Sequence, residues 1–381
     1  MKPNPLRELQ RLGQFVWLDY IRRDLIRSGQ LKRLIEEDGL SGMTSNPSIF
    51  EKAIIESHDY DADIQSLGHQ GLSPDAIFKS LSLQDVRDAA DQFRPVYDGT
   101  TGKSGYVSLE VNPHLAHDTS GTIHEAHRLW FALAHPNVFI KVPAANEGLP
   151  AIRHLISEGI NINVTLLFGL PRYRQVIDAY LSGIEDRVAA GKPVDNIASV
   201  ASFFVSRMDV LVDPLLEEIM ARNDEQAELA KKLHGQVAVA NSKMAYQIYR
   251  EAFASERFKK LAARGARIQL LLWASTSTKR PDYSDVKYVD ELIGPDTINT
   301  VPVATLDAYR DHGNPAVRIE QDLETARRVL DQLPRLGIDM NQVTQQLERE
   351  GDQKFCEPYD HLMQTLVQDL SRMAPGMRRA A

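Results

Sequence analysis

Residues 138–168 read VFIKVPAANEGLPAIRHLISEGININVTLLF, and this stretch decides the fold. Two short runs rich in β-branched residues, 138–142 and 160–168, flank an amphipathic stretch at 149–158. Runs of that length and composition read as buried strands, and the stretch between them as a helix. A strand, a helix and a second strand in succession imply parallel pairing. The alternation extends on both sides, with further runs at 15–18, 40–44, 106–111, 197–205, 268–273 and 297–303. Helical patterns at 74–97, 123–134, 171–190 and 208–264 lie between them. A count of eight strands favours a closed (β/α)8 TIM barrel over an open doubly wound sheet. An open sheet of the dinucleotide-binding kind carries a G-x-G-x-x-G turn after a strand, and no run here is followed by one.

Two connections are long enough to hold extra helices, near 50–105 and 208–266, with a polar helix end or loop at 221–229. After the eighth run a helical tail, near 315–381, shows its clearest patterns at 325–333 and 359–373. The expectation is one barrel domain over residues 1–381, with this tail packed against it. Of 381 residues, 43% are apolar and 25% charged, as in a soluble globular chain. A net charge of -8 with no basic block argues against a nucleic-acid partner. The single cysteine, Cys356, excludes an intrachain disulfide and a thiolate zinc cluster and fits a reducing, cytoplasmic setting. The pattern around Cys356 places it on a polar helix, far from the strand ends. The start, residues 1–10, is polar and lacks a signal-peptide core, and no run nears the roughly 18 apolar residues of a membrane span. A homo-oligomer stays open.

Barrel enzymes keep their chemistry at the C-terminal ends of the strands, so the polar residues there are the candidates. Lys141 stands inside an apolar run and before Pro143. Burial disfavours a charged amine, and a neutral amine can attack a carbonyl to form a Schiff base. The alternative is a strand-end lysine with its head in solvent. Asp19 and Glu110 end the first and third runs and could move protons in such chemistry, or could cap helices. Asn163 and Thr165 lie two apart and so share a strand face, either toward a substrate or in an internal polar layer. Arg207 follows the sixth run near a helix start, and Ser275 to Lys279 follow the seventh. Both positions suit a phosphate, and both also suit an ordinary surface.

Three other patterns are weaker. Gly102-Lys103-Ser104 lacks the first glycine of a phosphate-binding loop, because position 97 is Tyr97, and a strand follows it where a helix is required. His124-Glu125-Ala126-His127 spaces its histidines by three, where a zinc-protease helix needs four. No G-x-S-x-G nucleophile elbow occurs.

Five segments in order resemble one family: Thr44-Ser45-Asn46-Pro47-Ser48, Val107-Ser108-Leu109-Glu110-Val111, Ile140-Lys141-Val142-Pro143-Ala144, Asn161-Ile162-Asn163-Val164-Thr165-Leu166-Leu167-Phe168 and Ser202-Phe203-Phe204-Val205-Ser206-Arg207. The chain resembles the transaldolases of the class I Schiff-base aldolase superfamily over nearly its whole length. Its length and Trp273-Ala274-Ser275-Thr276 look like the long bacterial subgroup. The resemblance implies a metal-independent transferase of the non-oxidative pentose phosphate pathway, with no cofactor and with sugar-phosphate substrates. It implies Lys141 as the Schiff-base lysine and Asp19 as the acid–base group at the C4 hydroxyl. Glu110 and Thr165 would hold the catalytic water. Asn46, Asn163, Ser202 and Phe204 would contact the dihydroxyacetone unit, and Arg207 the phosphate. Shorter transaldolases carry a second phosphate arginine after the seventh strand. Here Lys279, with Ser275 as hydroxyl donor, stands in its place. Rival readings are a simple aldolase releasing free dihydroxyacetone, a non-catalytic sugar-phosphate-binding barrel, and a metal-dependent barrel enzyme.

Overall fold

The computed structural model describes residues 4–222 and 224–373. All eight runs form strands: β1 Gln14–Asp19, β2 Gly42–Thr44, β3 Tyr106–Glu110, β4 Val138–Pro143, β5 Ile162–Leu167, β6 Ser199–Phe204, β7 Leu270–Ala274 and β8 Thr297–Val301. Each pairs in parallel with the next, and β8 pairs back with β1 to close the barrel. This is the (β/α)8 architecture the alternation implied. The runs lack an apolar/polar alternation because both strand faces are covered, one by the barrel interior and one by the helices. Every residue of β4, β5 and β6 is buried. The register sets Glu110 beside Lys141 and Lys141 beside Asn163 on neighbouring strands. Where β2 crosses β1, a Cβ on Gly42 would stand 2.4 Å from the Trp17 ring, so only glycine fits there.

The long connections are helical. The first holds helices Pro47–Ile55, Asp61–His69 and Pro74–Gly99. Asn46 and Ser73 cap two of them, each with a proline at the helix start. The second holds Ser206–Met220, Glu225–Leu233, Val237–Ala254 and Glu256–Ala262. Its polar stretch supplies Asp224, which caps the second of these helices.

The tail departs from expectation. A pattern starting at 359, just after Pro358, is in fact part of one 34-residue helix, Met340–Met373, that runs through the proline. A mid-helix proline costs about 3 kcal/mol. Leu347, Phe355, Leu362 and Leu366 of this helix are all nearly fully buried, and burying each contributes roughly 1.5–3 kcal/mol, so packing outweighs the break. The helix packs on Pro47–Ile55, on Ser206–Met220 and on β5. Polar ties hold it there: Tyr359 donates to Asp75 at 2.9 Å, and His361 meets Glu51 at 2.6 Å. Residues 374–381 of the expected tail, and 1–3 of the polar start, lie outside the described residues.

Candidate active site

The C-terminal strand ends ring a cavity of about 670 Å³, closed on one side by the tail helix. Lys141 lines it and is only 4% exposed, so its head is not in solvent. The Lys141 ammonium donates to Glu110 Oε2 at 3.0 Å and to the Ser45 backbone carbonyl at 3.2 Å. The Phe355 ring of the tail helix lies 5.3 Å from Nζ. That contact corrects the placement of Cys356, the next residue, which rides on a helix over the barrel mouth and not away from the strand ends.

Neither carboxylate caps a helix. The helix after Asp19 has no side-chain cap, and Asn112 caps the short turn after Glu110. Asp19 accepts from Thr44 Oγ1 at 2.7 Å, and Thr44 in turn meets Thr300 at 2.7 Å. Burial pushes the Asp19 carboxyl up, against the pull of Lys141, Thr44, Arg207 and Lys279. Burial likewise pushes Glu110 up to about 7, against the charge and hydrogen bond of Lys141. A carboxyl at that value can exchange a proton with a neighbour near neutral pH. Its second oxygen, Glu110 Oε1, is buried without a protein partner, and so is Thr165 Oγ1. Buried polar atoms of this kind require a partner, and both belong to the cluster around Lys141.

The polar layer is partly internal. Asn163 is fully buried, donates to Ser108 Oγ at 3.0 Å and accepts from Ser202 Oγ at 2.7 Å. Its amide is therefore engaged with protein, and it aims Ser202, which does line the cavity. Asn46 also lines the cavity while its oxygen caps the helix through Ile49 N at 3.1 Å. The amide nitrogen of Asn46 has no hydrogen-bond partner among the described residues. Phe204 forms an apolar wall beneath Arg207, whose guanidinium lies 5.2 Å from that ring and 5.9 Å from the Phe355 ring.

Arg207 is the second residue of helix Ser206–Met220 and lines the same cavity. It forms no ion pair among the described residues, and its Nη1 is buried without a partner. Burial lowers its pKa, although Asp19, Glu350 and Glu110 oppose this. Lys279 and Ser275 line the cavity beside it. Ser275 holds a left-handed backbone, φ +56°, an uncommon state for a residue with a Cβ. Its carbonyl accepts from Ser206 N at 2.9 Å, and the two hydroxyls meet at 2.9 Å. The β7 loop is thus tied to the helix start that carries Arg207. Unpaired cations around a partly desolvated cavity can receive an anion.

A family described as transaldolase/fructose-6-phosphate aldolase matches residues 16–366. The chain belongs to this family. Among curated transaldolase relatives, Transaldolase 2 of Nostoc sp. is 47% identical over 98% of this chain and all of that protein. Transaldolase of Trichodesmium erythraeum is also 47% identical, over the same shares. Transaldolase of Mycobacterium leprae is 44% identical over 98% of both chains.

Within this transaldolase-family barrel, the cavity brings together Asp19, Asn46, Lys141, Thr165, Ser202, Phe204, Arg207, Ser275 and Lys279. Glu110 joins through Lys141, and Asn163 lies behind Ser202. Sequence reasoning missed four contributors: the Ser45 carbonyl, Ser108, Phe355 and Lys52. A backbone carbonyl carries no side-chain signal, and Phe355 is distant in sequence from every strand. Lys52 sits in the second turn of helix Pro47–Ile55, where a surface lysine looks unremarkable. The weaker patterns fall elsewhere. Gly102-Lys103-Ser104 forms the turn before β3, at the opposite barrel mouth. His127 pairs with Glu158, and His124 meets the Ser120 carbonyl at 2.9 Å.

Proposed function

We propose that this chain transfers a dihydroxyacetone unit from sedoheptulose 7-phosphate to glyceraldehyde 3-phosphate, giving erythrose 4-phosphate and fructose 6-phosphate. The observation carrying this reading is the buried Lys141 amine, hydrogen-bonded to Glu110, in one cavity with an unpaired Arg207. Glu110 takes a proton from the Lys141 ammonium, and the amine adds to the C2 carbonyl of the ketose. The carbinolamine leaves water, with the proton returned from Glu110, and a protonated imine remains. The free atoms Glu110 Oε1 and Thr165 Oγ1 supply the contacts such a water needs. Asp19 removes the C4 hydroxyl proton. The bond between C3 and C4 breaks, its electrons pass into the iminium, and the aldose leaves. The three-carbon enamine stays on Lys141 until its carbon attacks the next aldehyde, and Asp19 returns the proton to the new C4 oxygen. The iminium is itself the electron sink, so the scheme contains no cofactor or metal step.

Ser202, the Asn46 amide and the Phe204 wall hold the donor unit, with Asn163 positioning Ser202. Arg207, Lys279 and Ser275 bind the phosphate. We take the chain as one barrel domain, a reading supported by an apolar cluster that extends from Leu6 to Leu366 in the tail helix. No described helix is long and apolar enough to cross a membrane. The substrates and the lone cysteine suit the cytoplasm.

The test is product analysis. Fructose 6-phosphate with erythrose 4-phosphate should yield sedoheptulose 7-phosphate and glyceraldehyde 3-phosphate. Fructose 6-phosphate alone should release no more aldose than there are active sites. Continuous release of glyceraldehyde 3-phosphate with free dihydroxyacetone would make the chain an aldolase instead.

A further inference from the structure

Three cations line the active-site cavity without an ion-pair partner among the described residues: Arg207, Lys279 and Lys52. Two further lining cations are already paired, Lys354 with Glu350 and Lys141 with Glu110, each at 3.0 Å. Asp19 is the only carboxylate in the described cavity lining, so with those two pairs neutral the remaining groups carry two more positive than negative charges, the match for a phosphate dianion. The three cations are not equivalent. Arg207 lies innermost, since its guanidinium and the Lys141 ammonium face the same Phe355 ring, at 5.9 and 5.3 Å. Two aromatic rings hold it, so it is a fixed anchor. Lys279 stands farther out with an exposed head, on the β7 loop that Ser275 ties to the helix start carrying Arg207. Lys52 is likewise exposed and reaches the cavity from a different wall, the helix face that also presents Ser48 and Ile49 to it. Glu51 beside it is engaged by His361 at 2.6 Å and leaves it free.

The proposed reaction gives this ladder a task. Measured from the carbon bound to Lys141, the phosphate of the seven-carbon ketose stands one carbon farther out than that of the six-carbon ketose. The same step separates the four-carbon from the three-carbon aldose. A single fixed arginine suits one of those lengths. Lysine heads on flexible four-carbon stems can follow the phosphate outward. We propose that Lys52 is the outer phosphate contact and sets the preference for the longer partners, the seven-carbon ketose and the four-carbon aldose. This rests on the transaldolase reading above.

The test compares both ketose donors in Lys52→Gln, which keeps the stem and removes the charge. The KM for sedoheptulose 7-phosphate should rise about fivefold, the scale of one partly exposed charge contact, and that for fructose 6-phosphate twofold or less. Lys52→Arg should restore the native ratio, which a merely structural role of the stem would not require. An equal rise for both donors, or none, overturns the proposal while native transfer still supports the transaldolase reading. If the native chain makes no sedoheptulose 7-phosphate from fructose 6-phosphate and erythrose 4-phosphate, the function itself has failed.

Discussion

Replacing Arg207 with alanine isolates phosphate recognition from the carbonyl chemistry. The guanidinium is half-buried, stacked between Phe204 and Phe355, and holds a buried Nη1 with no protein partner. Its desolvation is therefore uncompensated until an anion arrives. Each charge-assisted hydrogen bond to a phosphate contributes about 1.5–3 kcal/mol. At roughly 1.4 kcal/mol per decade, loss of one bond raises KM by about tenfold to a hundredfold. Lys279 and Lys52 remain, which favours the lower end. Steady-state rates with fructose 6-phosphate as donor and erythrose 4-phosphate as acceptor give KM and kcat. The same assay with fructose gives the phosphate-free reference, and the loss there should be far smaller. A second effect follows from charge. Arg207 helps hold the Asp19 carboxyl down against burial. Asp19 must be ionised to take the C4 proton, so activity is lost as pH falls through its pKa. Without Arg207 that pKa rises, and the acid limb of the rate profile should move to higher pH. Equal losses with fructose and fructose 6-phosphate, with an unmoved acid limb, would refute phosphate binding by Arg207.

Lys279→Ala should raise KM for phosphorylated donors in the same direction by a smaller factor, because its head is more exposed; an unchanged KM would move that contact to Ser275 or the loop backbone. Asp19→Asn should slow turnover about 100-fold or more while borohydride still traps a Schiff base; loss of trapping in a folded variant would reassign imine formation to Asp19. Glu110 titrates near 7 in the folded chain and near 4.5 when exposed. The folded state therefore holds the extra proton between those values, so this carboxyl favours folding at low pH and the contribution is lost as pH rises through about 7. Urea titrations of Glu110→Gln should show a flatter stability–pH slope between pH 5 and 7, and an unchanged slope would contradict the raised value. Away from the site, Asp85 is 1% exposed, 3.0 Å from Arg23, and accepts from Tyr60 OH at 2.8 Å. Asp85→Ala leaves a buried guanidinium short of its partner and should cost about 3–5 kcal/mol by urea denaturation; a loss below about 1 kcal/mol would show that Asp63 and water compensate.

The barrel was legible because strands covered on both faces must be apolar throughout, and eight such runs leave few other solutions. Strand ends then located the candidates, since the Lys in Val-Phe-Ile-Lys-Val-Pro and the Asp after Phe-Val-Trp-Leu interrupt or end runs that are otherwise apolar. Burial was less legible than position. Asn163 reads like a substrate contact, yet its amide is taken up by Ser108 and Ser202, a pairing across β3, β5 and β6 that no local pattern encodes. The tail hid its role for a related reason. The clear pattern begins only at 359, whereas the apolar residues on both sides of Pro358 belong to one continuous helix that covers the cavity. Phe355 therefore reached Lys141 through tertiary packing alone. Lys52 was invisible because its meaning comes from the absence of an acid partner, which only the assembled cavity reveals.

The central claim is a covalent bond from Lys141 to the donor, and the most direct measurement is borohydride reduction in the presence of fructose 6-phosphate, followed by peptide mapping. The account predicts one three-carbon adduct on the peptide containing Val138-Phe139-Ile140-Lys141, and no adduct in Lys141→Arg, whose guanidinium stays charged and is not a nucleophile. An adduct on another lysine, or full transfer activity with no adduct at all, would contradict it.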